Sequence, residues 1–98
     1  MLSQMIAAIE GASAEVSPLF DGVRIYATFP NGYSASIIKH GFSKGSRQGM
    51  YEGAVYFGGK IVYDTPITDD VVGYLSEMEA VEFAESVSKL PVREVPNV

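Results

Sequence analysis

Pro30-Asn31-Gly32 joins two runs of alternating residues, Val23 to Phe29 and Tyr33 to His40, and it limits the fold more than any other stretch of this chain. A two-residue Asn31-Gly32 loop would set Phe29 against Ser34 and Arg24 directly opposite Lys39. A three-residue loop, with Pro30 and Asn31 in a type I turn and Gly32 at the left-handed bulge position, instead pairs Phe29 with Tyr33, Ala27 with Ala35 and Ile25 with Ile37. A slip of one residue would turn every apolar side chain to the other face, so the register that keeps them together is the one expected. It gives an inner face of Val23, Ile25, Ala27, Phe29, Tyr33, Ala35 and Ile37. The outer face carries Arg24, Tyr26, Thr28, Ser34, Ser36, Ile38 and His40.

A second hairpin, Met50 to Phe57 and Lys60 to Asp64, turns at Gly58-Gly59, a pair suited to a primed turn. With Glu52 in solvent, Tyr51, Gly53, Val55, Phe57 and Val62 point inward by period two. Joined in one meander, the hairpins place Tyr26, Tyr56 and Tyr63 near Arg24 and His40 on the outer surface. Two outcomes remain open there. The tyrosines lie exposed, as residues suited to binding another protein, or the N-terminal helix covers them and makes them core.

That helix is expected from Leu2, Met5, Ile6 and Ile9 at helical spacing, with Ser3 as a cap and Gly11 as the stop. Gly11 to Gly22, with its small residues, Pro18 and Asp21-Gly22, reads as a connection that includes a short extended piece. In Tyr63-Asp64-Thr65-Pro66, the proline ends the preceding strand. Thr68 then caps a short helical turn whose first residues include Asp69 and Asp70. Ser76-x-x-Glu79 is a capping box, so a longer helix starts near Glu77 and ends at Leu90 before Pro91. Its buried stripe is Ala80, Phe83, Ala84, Val87 and Leu90. The expected fold is α+β: a four-stranded antiparallel meander sheet, one N-terminal helix, and a C-terminal helix packed on the sheet. Residues 1–98 form one domain, and 91–98 form a frayed tail.

Charge is unevenly distributed. Residues 1–51 hold four basic and three acidic side chains, whereas 52–98 hold three basic and nine acidic ones. Direct binding to nucleic acid backbones, which rests on Lys and Arg, is therefore not expected. The absence of cysteine removes disulfides and thiolate chemistry and favours an intracellular location. No apolar run approaches the ~20 residues of a membrane helix, and Met1 to Glu10 lacks the basic start of a secretory signal. The expectation is a cytoplasmic protein without membrane contact.

Between Ile61 and Ser88 lie Asp64, Asp69, Asp70, Glu77, Glu79, Glu82 and Glu85 and no basic residue. Caps and a solvated helix face account for these carboxylates locally. Together they also form a candidate partner-binding surface, with Tyr26 and Tyr56 as anchors, for a protein with a basic surface. A second candidate is the loop Gly41 to Gly49, where Lys44, Gly45, Arg47 and Gly49 could hold an anion through side-chain charge and converging amides. It is not a Walker A sequence, and a solvated hairpin loop explains the same residues. His40 is the lone histidine and no serine has a catalytic motif around it, so no catalytic, cofactor or metal residues are assigned.

The combination of Asn31-Gly32-Tyr33, Gly49-Met50-Tyr51-Glu52-Gly53-Ala54-Val55 and Tyr63-Asp64-Thr65-Pro66-Ile67-Thr68-Asp69-Asp70-Val71-Val72-Gly73-Tyr74-Leu75 resembles small proteins encoded by tailed bacteriophages. The resemblance spans roughly residues 31–90 and carries no functional residue with it. It implies an accessory protein in the cytoplasm of an infected bacterium. The element order is also similar to αβββα modules, which include double-stranded RNA-binding domains and some anti-CRISPR proteins. The leading expectation is a non-enzymatic anti-CRISPR or other anti-defence inhibitor that binds a basic, nucleic-acid-handling host protein. The alternatives are an oligomeric sponge or sensor for a small anionic nucleotide, and a virion or assembly component.

Overall fold

The computed structural model describes residues 2–41, 43, 45–67 and 71–92. In chain order it contains α1 (Leu2–Ala7), β1 (Ser13–Leu19), β2 (Gly22–Thr28), β3 (Tyr33–Lys39), β4 (Tyr51–Phe57), β5 (Lys60–Ile61), β6 (Val72–Leu75) and α2 (Glu77–Ser88). All the strands form one antiparallel sheet in the order β1-β2-β3-β4-β5, with β6 also paired to β4. The α+β architecture is the expected one. The described residues hold six strands where the sequence reading had four.

The central hairpin adopts the three-residue turn. Ile25 pairs with Ile37 and Ala27 with Ala35. The Phe29 amide donates to the Tyr33 carbonyl, and Gly32 sits at φ +89° in the left-handed region that an L side chain rarely enters. Gly58 and Gly59, at φ +62° and +81°, form the tight turn between β4 and β5.

The two added strands sit at sheet edges. β1 runs along β2 through a two-residue turn at Phe20-Asp21, so most of the segment expected to be a connection is a full strand. In such a hairpin Leu19 and Gly22 form the hydrogen-bonded pair, so Pro18 falls at the neighbouring site whose nitrogen points to the open edge and lacks nothing there. β1 is exposed along most of both faces, which is why it has no clear apolar alternation. β6 lies within a stretch read as leading into helix. Its Val72 and Leu75 pair with Gly53 and Tyr51, taking the part of the β4 edge that the short β5 leaves open.

Both helices lie on the inner face. Leu2 and Ile6 of α1 and Ala80, Phe83, Ala84 and Val87 of α2 share one core with Ile25, Ala27, Ala35, Ile37 and Val55. Ser3 lies inside α1 and is not its cap. A methyl group at Gly53 would approach Phe83 Cε1 to 2.8 Å and Leu75 Cδ1 to 3.1 Å, so the bare backbone there is what lets the ring seat on β4. α2 starts at Glu77 as expected, while its regular turns stop at Ser88, before Leu90. The expected helical turn at Thr68, and residues 93–98 of the expected frayed tail, lie outside the described residues.

Asn31 fixes α2 to the sheet. Its side-chain amide donates to the Val87 and Leu90 carbonyls at 2.9 Å each and to Ser88 at 3.3 Å, and its side-chain oxygen accepts from the Tyr33 amide at 3.0 Å. The residue is 8% exposed. Replacing it by alanine would remove these bonds and take the side-chain donor from the buried Leu90 carbonyl, while Val87 keeps the Leu90 amide, so Asn31→Ala is expected to cost about 2–3 kcal/mol in urea unfolding. Asn31→Asp should cost more at neutral pH, because a carboxylate has no proton to donate and faces the negative end of a helix.

Candidate functional site

The buried stripe of α2 determines what faces solvent. With Ala80, Phe83, Ala84 and Val87 in the core, Met78, Glu82, Glu85 and Lys89 line the opposite side at helical spacing. Glu77 is exposed in the first turn, and Met78 is 64% exposed among these carboxylates. A large apolar side chain left in water one turn before Glu82, with Glu77 at its flank, is the most prominent feature of this surface.

Not every carboxylate is available to a partner. The Ser76 hydroxyl accepts from the Glu79 amide at 3.1 Å, and Glu79 Oε1 accepts from the Ser76 amide at 3.0 Å, closing the capping box. Those bonds hold the Glu79 carboxyl below its ordinary pKa of 4.5, the backbone amide contributing most and the Ser76 side chain next. Glu85 pairs with Lys89 at 3.2 Å, an exposed helical pair of small energetic value. Asp64 is exposed in the segment after β5. Asp69 and Asp70 lie outside the described residues.

Tyr26 and Tyr56 do not join this surface. They project from the outer face of the sheet, with α2 on the other side. Strands β2 and β4 flank β3 and lie about 10 Å apart, yet the two rings meet edge to face at 5.5 Å between centroids. They therefore lean together over β3. This explains why Ser34, Ser36 and Ala54 are buried on a face that α1 and α2 leave uncovered. The Arg24 guanidinium lies 4.6 Å from the Tyr26 ring centroid and 5.5 Å from that of Tyr56. Its Nε is buried with no hydrogen-bond partner among the described residues. The single partner surface expected from sequence is thus two surfaces on opposite sides of the molecule.

The glycine-containing loop is built differently from an anion cradle. Gly45 and Gly49, at φ +88° and +72°, bracket a single 3-10 turn, Ser46–Gln48. The Gln48 and Met50 amides both donate to the Gly45 carbonyl, and the Gly49 amide donates to Ser46. These amides close the loop's own turns and do not converge outward. Arg47 is exposed and lines two shallow clefts of about 330 and 410 Å³, one with Lys39 and His40 and the other with Tyr74. Lys44 lies outside the described residues.

Phe20 and Tyr74 escaped the sequence reading. They are 77% and 58% exposed and have φ of +54° and +59°. A bulky side chain in that region carries about 1–3 kcal/mol of backbone strain. The clue for Phe20 was the need of a two-residue hairpin for positive φ, hidden because Asp21-Gly22 offered a more conventional turn. Tyr74 offers no comparable local signal.

Among the described residues, no group of three or more His, Asp and Glu could hold a metal ion, and no helix is long and apolar enough to cross a membrane. Neither family models, nor curated proteins, nor solved structures give a match to this chain.

The capping box predicts a defined pH response. A lowered carboxyl pKa stabilises the fold above the unfolded value and loses that contribution as pH falls through the folded value. Glu79→Gln should therefore be less thermally stable than the native chain at pH 7. The difference should shrink as pH drops below 4.5, when melting curves are compared across pH.

Proposed function

We propose that this chain is a non-enzymatic interaction protein that presents the acidic solvent face of α2 to a basic, nucleic-acid-handling surface of another protein. A phage-encoded anti-CRISPR or other anti-defence inhibitor would act in this way in the cytoplasm of an infected bacterium. The observation that carries the reading is Met78, 64% exposed, with Glu82 one turn and Glu85 two turns further along the same helix face and Glu77 at its flank. An exposed helix with an apolar anchor and charged neighbours suits recognition in a groove, where the anchor supplies contact area and the charges orient the approach. The outer tyrosines take no part in that contact. Met78 replaces them as the apolar anchor.

The sponge reading has weaker support because the loop amides are already engaged. Anionic nucleotides are expected to leave the melting temperature unchanged. A true ligand at about 100 times its dissociation constant would add about 2.7 kcal/mol of stability.

The main reading is tested by measuring binding of the purified chain to a panel of defence effectors, each with and without its nucleic acid. Binding should favour a nucleic-acid-free effector, fall with salt, and weaken about tenfold or more in Glu77→Lys/Glu82→Lys, since close interfacial charge pairs carry energies on that scale. Binding indifferent to both the substitutions and the nucleic acid would rule the reading out.

A further inference from the structure

A cleft of about 770 Å³ opens where the end of α1 meets the Pro30-Asn31 turn and the last turn of α2. Its apolar wall includes Ala8, Ile9, Pro30 and Val92, and its rim carries Glu10, Glu85 and Lys89. Glu85 is paired with Lys89, which leaves Glu10 as the exposed charge of the rim. At the other end of β2 stands the β1–β2 turn, tipped by Phe20. Phe20 is held at φ +54°, 77% exposed, with its ring 5.2 Å from that of His40. Beside it, Asp21 Oδ1 accepts the Gly41 amide at 2.8 Å, while Lys39 lies 4.8 Å over the Tyr51 ring. Among the described residues, Asp21, Lys39 and Arg47 give this end a net positive charge, with Arg47 its exposed cation.

One end of the molecule thus offers a strained, solvent-facing aromatic beside a cation, and the other an apolar recess beside an anion. We infer that two copies associate head to tail, the Phe20 tip of one entering the Ala8–Pro30 cleft of the next, with Arg47 of the first facing Glu10 of the second. The strain at Phe20 then has a use: a glycine would fit the turn better but has no side chain to enter the recess. Because the donor and acceptor surfaces differ, the contact is heterologous, and it repeats into a ring or filament. This inference goes beyond the α2 reading and uses neither Glu77 nor Glu82, so the variant that tests that reading leaves this contact intact.

The test uses the full chain. Sedimentation of the native protein should show mass rising with concentration, and Phe20→Ser should weaken association about tenfold or more, as loss of one buried aromatic implies. Phe20→Gly serves as the folding control. It should melt no lower than the native chain, because the left-handed backbone suits glycine, yet lose association to the same degree. The protein has no cysteine, so oxidation of mixed Phe20→Cys and Ala8→Cys chains should give a mixed disulfide dimer, with neither variant cross-linking alone. A native chain that stays monomeric near about 1 mM, where even weak complexes form, would overturn the inference. So would Phe20→Cys linking to itself.

Discussion

The structure depends on the contact between Asn31 and the end of α2. An α-helix leaves its last carbonyls short of partners, and Val87 and Leu90, which turn the end of α2 back onto the sheet, are buried. Asn31 donates to three of those carbonyls from the turn between β2 and β3, and its side-chain oxygen holds the Tyr33 amide. One residue therefore closes a hairpin and anchors a helix more than fifty positions away. It sets the height of α2 above the sheet, while Phe83 over the bare backbone of Gly53 sets its lateral position.

Once α2 is seated, the remaining layers follow. α1 is too short to hold itself together in water and buries Leu2 and Ile6 beside α2, on the same side of the sheet. Among the described residues no helix remains for the outer face. That face covers itself: Tyr26 and Tyr56 close over the serines of β3 with the Arg24 guanidinium against their rings. These side chains shield small polar residues across a single layer, which is why they are half-buried and not free anchors. The acidic helix face and the outer tyrosines lie on opposite sides of the sheet, so no single flat surface meets both.

Reading the sequence succeeded where the deciding interactions are local. The β2–β3 register followed from turn chemistry at Pro30-Asn31-Gly32 and from alternation over a few residues on either side. The start of α2 followed from two hydrogen bonds between Ser76 and Glu79. It failed at the sheet edges. β1 has no buried stripe because nothing packs on most of it, and β6 is a strand only because β5 is short enough to leave room on β4. The acidic run and its local division, a capping glutamate at Glu79 and a solvated helix face at Glu82 and Glu85, were legible from helical spacing; that the outer tyrosines lie across the sheet from that face was not, since it depends on which side α2 covers.

What the chain determines by itself is therefore the set of contacts made within a turn of helix or across one tight loop: the hairpin registers, the capping box, and the residues that must be inside. Tertiary structure alone decided which side of the sheet both helices cover, which edge segments become strands, and that Met78 and Phe20 remain in water. The physical reason is range. Hydrogen bonds and periodicity act between residues close in sequence, whereas burial depends on surfaces that meet only after distant segments have packed.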